Sequence, residues 1–478
     1  MRILFISSNQ CRLAILPLPL GLASVLAAVR PEHEVRVLDF MFADDPRARV
    51  DRAVAEFRPE IIGISVRNID NQDSVHPEVY FPQVKELVEH LKELSPAPVI
   101  LGGAGFSVAP REFMAYTGAD FGLVGEGEAS FKSFLQAFPG QEWSKVPGLY
   151  WGKNGGLKQN PLQRIRRLDL LPPPSLEFFS PQVYQETPGS AGLPGLIPVQ
   201  SRRGCPMRCI YCSTPLLEGA ETRSWAPEQV ASWLAAWHER WGLKRFYFVD
   251  NMFNCPPEYG RRLCRAIREL RLPLEWVCLI NPAFPDPELF HLIREAGGSM
   301  VQLGNESGSD LVLRGLGKGF DRHQVERTLK LLQGEGLPYT CFLLLGGPGE
   351  TRETVEESVA LLEKYEPKMV HLKAGLRIHP GVPLHRRAQA EGVVSPADNL
   401  LWPKFYLAPA IQDWIKGYLA ELTVRHPNWI MCSRLTVVWK EARPAIIRRA
   451  RQPQKVFPGR EAPSVTFTEN RKPKTQGR

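Results

Sequence analysis

Residues 201–213 read SRRGCPMRCIYCS. Cys205, Cys209 and Cys212 stand at C-x3-C-x2-C spacing, Tyr211 precedes the third, and Arg202 and Arg203 lead in. The chain has nine cysteines, and the other six, at 11, 255, 264, 278, 341 and 432, are scattered, mostly in apolar runs. That scatter reads as buried thiols, not as a disulfide framework. Most thiolate metal sites close with four ligands. Three thiolates at a loop tip suit a four-iron cluster whose fourth iron keeps an open position for a substrate. Structural zinc is the competing reading; it would need a distant His at an unusual spacing.

Outward from this loop the chain alternates. From Leu196, the strand-like runs LIPVQS, RFYFVD, LEWVCLI, MVQLGNES, TCFLLLGG and HLKAGLRI each precede a helical run. Six such units predict a partial (β/α)6 TIM-type barrel, or an open sheet, over residues 196–395. Upstream, RILFISS, EVRVLDF, IIGISV, PVILGG and FGLVGEG read as buried parallel strands separated by amphipathic helices. Residues 1–140 are therefore expected to be a doubly wound α/β domain, with ligand loops beyond the strand ends at 7–17, 67–73, 102–107 and 125–128. Residues 141–195 hold LPPP and TPGSAGLPG and read as a Pro/Gly-rich connector. Over 396–442 the alternation stops. Ile411, Trp414, Ile415, Tyr418, Leu419 and Leu422 make a helical apolar stripe, so a small, mainly helical C-terminal region with a core-facing helix is expected. A membrane-surface helix is the minor alternative.

The net charge of +8 is local. Residues 443–478 carry ten Lys/Arg against two Glu, which leaves 1–442 neutral. A nucleic-acid partner is not expected from this balance. The tail itself reads as disordered. No run of about 18 apolar residues predicts a transmembrane span, and MRILFISSN has no signal pattern, so a cytoplasmic location is expected.

The motifs together resemble the radical S-adenosylmethionine (SAM) superfamily. In that family a C-x3-C-x2-C loop with an aromatic before its last Cys holds a [4Fe-4S] cluster. FYFVDNMFN, VQLGNESGSD…LRGLGKG, LLLGGPGET and IHPGVPLH follow in the family's order over about residues 196–392. The resemblance implies Cys205, Cys209 and Cys212 as cluster ligands. It implies Tyr211, Asp250, Glu306, Ser307, Gly346 and Gly347, with Gly349, around SAM, and Arg202, Arg203 and Arg208 as positive charge beside the cluster. PLPLGLASVLAA, VILGGAGFSVAP and DFGLVGEGEASF resemble the cobalamin-binding domain of B12-dependent members, class B methyltransferases among them. The contacts implied there are Arg67, Asn68, Asp70, Gly102, Gly103, Gly105, Phe106, Gly125, Glu126, Gly127 and Glu128. No D-x-H-x-x-G follows the first strand, whose loop reads SSNQCRLAILPLPLG, so a cobalt-ligating His is not expected there. Arg67 is placed instead below the metal. A guanidinium stays protonated and does not readily ligate cobalt. The alternative for Arg67 and Asp70 is a structural salt bridge or contact with corrin amides; Cys11 reads as a buried thiol.

What the resemblance implies is an enzyme using the cluster, SAM and cobalamin to methylate an unactivated carbon. Radical cyclisation or rearrangement, and a non-radical methyl transfer, are the alternatives within enzymes. A corrinoid sensor with a degenerate barrel is the alternative outside them. The substrate is not legible; a small molecule, a peptide or a lipid fits, with Trp276, Asn281 and Tyr339 as inward-facing candidates. An electron donor such as flavodoxin or ferredoxin is implied.

Overall fold

The computed structural model describes residues 1–11, 16–153, 156–189 and 195–431. The tail at 443–478 and Cys432 lie outside the described residues. Strands β1 (Arg2–Ser7), β2 (Glu34–Asp39), β3 (Ile61–Ser65), β4 (Val99–Gly102) and β5 (Phe121–Leu123) are parallel, in the order β2-β1-β3-β4-β5. Helices cover both faces, which is why these strands are apolar throughout; Ile3, Leu4, Phe5 and Ile6 are all buried. The winding reverses between β1 and β3, so the loops after these two strands open the crevice where such sheets bind ligands.

The stretch expected to be a connector is instead packed structure. β6 (Leu149–Lys153) and β7 (Gly156–Gln159) form an antiparallel hairpin that extends the sheet from β5 to seven strands. Beyond it Leu168, Leu176 and Phe179 are buried. The prolines there forbid a long helix, but they do not prevent burial of the apolar residues between them.

The second sheet begins with β8 (Ile197–Val199). β9 (Arg202–Arg203) and β10 (Arg223–Ser224) pair antiparallel, and the cysteine loop is strung between them. β11 (Arg245–Phe248), β12 (Glu275–Ile280), β13 (Gly298–Glu306), β14 (Tyr339–Leu345) and β15 (Met369–Ala374) follow β8 in parallel and in chain order. The region expected to be only helical adds more strands. β16 (Leu376–Arg377) pairs with β17 (Phe405–Tyr406), and β18 (Trp429–Met431) joins β15 as a seventh parallel strand. Among the described residues no ladder joins β18 to β8, so the barrel is partial. The helical stripe does face the core: Ile411, Ile415, Leu419 and Leu422 are fully buried.

Alternation along the strands separates two surfaces. Tyr339, Cys341, Leu343 and Leu345 of β14 are buried against the helical layer, whereas Phe342 keeps partial access. Tyr247, Leu279, Gly304, Glu306, His371 and Lys373 share that partial access on neighbouring strands. They line the inside of the barrel.

Candidate functional site

One end of the interior is the cysteine loop. Its base is fixed by Asp250, which is 1% exposed and accepts from Ser201 N (2.7 Å), Arg202 N (3.0 Å) and the Ser201 hydroxyl. Arg202 donates to the carbonyls of Phe253 and Cys255 and stacks on Tyr259 at 4.6 Å. Cys205 is buried, and burial lifts its thiol to about 11, with Cys212 and Cys209 adding to the rise. The three sulfurs are thus near enough to feel one another. Tyr211 donates to Glu306 Oε1 at 3.1 Å, and Lys318 Nζ donates to the same oxygen at 3.2 Å. Burial opposes charge on Lys318, but Glu306, Tyr211 and Cys209 outweigh it and raise its pKa. The same ammonium lowers the Cys209 thiol against the larger effect of burial. Glu306 holds φ at +61° to present its carboxylate here, a conformation that a non-glycine residue adopts only when its surroundings compel it.

The other expected SAM residues Asp250, Ser307, Gly346 and Gly347 are engaged in hydrogen bonds within the protein. Asp250 has its oxygens occupied at the base of the loop, as above. Ser307 is fully buried, with Oγ 3.0 Å from Ser358 Oγ, so it braces the turn after β13. Gly346 and Gly347 turn their N–H groups onto Glu350 (2.8 and 3.2 Å). Burial raises Glu350 to about 7, against the pull of those two N–H groups. Of the expected arginines, Arg202 and Arg203 are buried structural groups; Arg208 is exposed on the loop. Lys318 lies in the GLGKG run but was not singled out by spacing. The signal available was a lysine following the acidic turn of the same motif.

The other end is built by the first domain. Arg67 keeps a large accessible area, yet enough protein surrounds it that desolvation lowers its pKa. Its neighbours are Asn68, which accepts from Nη1 at 3.2 Å, and Cys11, Tyr247 and Tyr184, whose negative forms would favour its charge. Cys11 Sγ lies 3.2 Å from Tyr80 OH; burial raises the thiol despite Tyr80 and Arg67. Gly103 and Gly105 let the β4 loop lie on the β3 loop: a Cβ on either would meet the backbone of Val66 (2.5 Å) or Arg67 (2.9 Å). Their role is to set the backbone that carries Arg67. Gly102 has ordinary clearance, its Cβ reaching only Leu123 O at 3.7 Å. Phe106 is fully buried in the core against Phe113.

The remaining expected corrin contacts tie the domains together. Asp70 is buried and accepts from Arg377 Nε of the second domain at 2.8 Å, so its partner is not Arg67. Glu126 Oε2 accepts from Arg223 Nη1 (2.9 Å) and from Ile165 N (2.6 Å), and Oε1 pairs ionically with Arg223 Nη2 at 2.7 Å; Glu128 accepts from Arg203 at 2.5 Å. Gly125 lies under Leu162, and Gly127 against Val25. The run GEGE is thus a buried clasp between the two domains. Sequence alone shows two glutamates after a strand; their partners lie about 75 and 97 residues away.

The two ends share one wall. Arg67 senses Tyr247 on β11, and Tyr247 OH donates to Gln302 Oε1 at 2.8 Å; beyond Gln302 the β13 register slips between Leu303 and Glu306, and Gly304 and Glu306 keep partial access there. Glu306 then reaches Tyr211. The inward candidates Trp276, Asn281 and Tyr339 are not on this wall. Trp276 donates to Ala296 O in the outer layer, Tyr339 bonds Tyr365 O there, and Asn281 accepts from Ala283 N in a turn.

Two family models match: the B12 binding domain over residues 16–135, and the Radical SAM superfamily over 199–362. The chain belongs to the cobalamin-dependent radical SAM family. It is an enzyme that uses a [4Fe-4S] cluster, SAM and cobalamin. It is 27% identical to an uncharacterized methyltransferase of Pyrococcus horikoshii over 73% of each chain. It is 24% identical to the cytidylyl-2-hydroxyethylphosphonate methyltransferase of Streptomyces wedmorensis, over 80% of each. It is also 24% identical to the tryptophan 2-C-methyltransferase of Streptomyces laurentii, over 81% of this chain and 75% of that one. Its fold matches that of the radical SAM methyltransferase TsrM from Kitasatospora setae at TM-score 0.78, 22% identity and 94% and 99% coverage. The cobalamin-dependent SAM radical enzyme OxsB matches at TM-score 0.71 and 16% identity, over 94% of this chain and 72% of that one.

The residues present fit these cofactors. Three mutually close thiols on one loop suit three irons of a cluster. Among the described residues no three Cys, His, Asp or Glu converge as a single-ion site would require. A Cβ built on Gly304 would meet only Glu306 Oε1, at 3.8 Å, so there is room beside the cysteine loop. Arg67 stands exposed where the two strand-end loops of the first domain meet.

Proposed function

We propose that this enzyme methylates a small organic substrate held inside the barrel, between the Cys205–Cys212 loop and Arg67. The observation that carries this reading is the continuous inner wall from Arg67 through Tyr247, Gln302 and Gly304 to Glu306 and Tyr211. When bound, the corrin supplies a transferable methyl group, and the cluster with SAM supplies one-electron chemistry. Cys205, Cys209 and Cys212 would hold the cluster. The Lys318–Glu306–Tyr211 group would orient the charged end of SAM, with Lys318 offsetting negative charge beside Cys209. Arg67, with no carboxylate partner among the described residues, would hold a positive charge against the corrin's lower face, where it does not readily act as a ligand. That supports a polar variant of the methyl transfer as the second reading.

An acidic electron-carrier protein such as flavodoxin or ferredoxin would supply reducing equivalents near the loop. Arg208 on the loop and Arg166 beside it are exposed. Arg164 reaches the carbonyls of Pro215 and Leu216 just after the loop. None of the three pairs with a carboxylate among the described residues, whereas neighbouring Arg167 and Arg223 do.

The test is anaerobic reconstitution with iron, sulfide and cobalamin, followed by SAM and a low-potential reductant. S-adenosylhomocysteine formed by wild type and not by a cobalamin-free control supports methyl transfer. Added 5′-deoxyadenosine, lost in Cys205→Ala, supports the radical route; its absence supports the polar one. Neither product in wild type would overturn the proposal.

A further inference from the structure

Residues 399–402 read NLLW, in the turn before β17. Two adjacent leucines there enter different cores. Leu400 is 3% exposed and sits with Leu344, Leu376 and Ile378 in the cluster on which Ile210 and Tyr211 of the cysteine loop pack. Leu401 is fully buried in the first domain, in one cluster with Ile69, Phe81 and Phe113. Trp402 sets its ring nearly perpendicular to Phe81 and Tyr116 of that domain, at 4.9 and 6.3 Å. Arg377 ties this turn to the loop after β3. It donates to Leu400 O (2.8 Å), Leu401 O (3.3 Å) and Asp70 Oδ2 (2.8 Å). Asp70 Oδ1 in turn accepts from Gln72 N at 2.8 Å, and Tyr80 N donates to Ile69 O at 2.8 Å, which folds the loop that starts at Arg67 onto itself. On the cluster side the chain runs on through β17, and Ala408 N donates to Gly346 O at 3.0 Å.

We propose that Leu400 and Leu401, with Arg377, form a positioning strap that holds the Arg67 loop at a set distance from the cysteine loop. The two leucines are bonded neighbours, and one guanidinium holds both of their carbonyls. Neither side chain can leave its core without pulling on the other. Packed side chains carry energetic coupling between sites, and the strap has one in each core. Removing the Leu401 side chain leaves a cavity in the first domain and takes away apolar burial that docks the strap. A lysine at 377 keeps a charge opposite Asp70 but lacks the planar fork that serves several acceptors at once. The bearing on methyl transfer rests on the proposed function; the mechanical role does not.

The test is hydrogen exchange read by mass spectrometry on the full-length, anaerobically reconstituted protein, comparing segments 68–80 and 205–212. Leu401→Ala should raise exchange in 68–80 by about tenfold or more, and should also raise it at Ile210, whose N–H is held by Leu316 O at 3.0 Å. Leu400→Ala should act in the mirror sense, on 205–212 first and on 68–80 with it. Arg377→Lys should loosen both segments. Leu401→Met keeps the side-chain volume and should stay near wild type. Effects confined to each leucine's own side would mean two independent core residues and would overturn the strap. So would an equal rise in the helix Arg322–Glu335, which would mean general loosening. If an alanine variant does not fold, Leu401→Val and Leu400→Val carry the same cross-comparison. Cluster and corrin loading, read by absorption, reports on the proposed function separately. A cross-effect in a protein that loads neither would sink that function and leave the strap standing.

Discussion

The buried clasp makes a quantitative prediction. Glu126 and Arg223 have side chains only 6% and 8% exposed, and Arg223 meets both carboxylate oxygens, at 2.7 and 2.9 Å. Glu126→Leu removes the carboxylate but leaves Arg223 buried, with the Ile165 and Glu218 carbonyls as its remaining acceptors. Breaking one side of a buried pair costs about 3–5 kcal/mol. The same pair replaced on both sides by apolar groups of similar size is often close to neutral. Glu126→Leu with Arg223→Met should therefore cost well under the sum of the two single changes. The chain has more than one domain, so a single unfolding free energy is not the quantity to read.

Native-state proteolysis of the 163–170 segment is better suited. Ile165 N is held by Glu126 itself, so opening the clasp frees this segment. When opening is fast relative to cleavage, the rate follows the open population. A loss of about 3–5 kcal/mol raises that population by roughly two to three and a half decades. Iron release to a chelator should accelerate in step, because Arg203, the partner of Glu128, stands two residues before Cys205. An acceleration below about fivefold in either single variant, or single-variant effects that simply add in the double variant, would refute a coupled clasp.

Three other outcomes are expected. Arg67→His should change the corrinoid absorption spectrum by offering cobalt an imidazole; an unchanged spectrum would remove Arg67 from the lower face. Arg166→Glu should slow cluster reduction by flavodoxin, more so at low ionic strength, while reduction by dithionite keeps its wild-type rate; equal slowing by both would place the effect in the fold. Glu350 has a folded pKa of about 7, above its ordinary 4.5. Between those values the folded state binds the extra proton, so stability falls as pH rises from about 4.5 to 7 and levels off above. Glu350→Gln should flatten that limb, read as the pH dependence of the native-state proteolysis rate; parallel wild-type and variant pH profiles would count against the assignment.

How much was legible follows from what each residue's role depends on. The cysteine loop needs only three thiols close in sequence, so spacing alone located it. The parallel strands were legible because helices cover both sheet faces and force long apolar runs. The same property hid which strand residues face inward. With both faces apolar, parity cannot be read from polarity, and Trp276 and Tyr339 were placed one register away from Val277 and Thr340. The expected connector failed for another reason. Pro-rich sequence excludes regular helix but says nothing of whether Leu168 or Leu176 finds a buried surface. Long-range ion pairs were the least legible. Glu126, Glu128 and Asp70 stand at strand-end loops, where ligand contacts also stand, and a carboxylate beside a distant arginine looks the same in sequence as one beside a ligand.

This distinction bears on how the two halves work together. Arg203 joins Glu128, Arg377 joins Asp70, and both arginines belong to short strands that flank the barrel interior. The glutamates of the first domain therefore brace the approach to Cys205, while Asp70 anchors the loop that carries Arg67. Corrin-side and cluster-side groups are held in one frame by buried charge pairs, with Arg203 facing both Glu126 and Glu128 and Arg377 facing Asp70. A hydrophobic interface of the same area would be about as stable, but it would tolerate sliding. Methyl transfer between two cofactor sites needs a fixed gap, because misplacement by about 1 Å can cost a reaction roughly 100-fold. The clasp residues should thus tolerate conservative exchange poorly even where stability survives: Arg203→Lys should keep the fold, yet lower turnover more than it lowers the affinity of either cofactor, since one ammonium cannot reproduce a guanidinium that reaches both Gln200 and Glu128. Turnover and cofactor affinity unchanged in Arg203→Lys would show that the clasp sets stability alone.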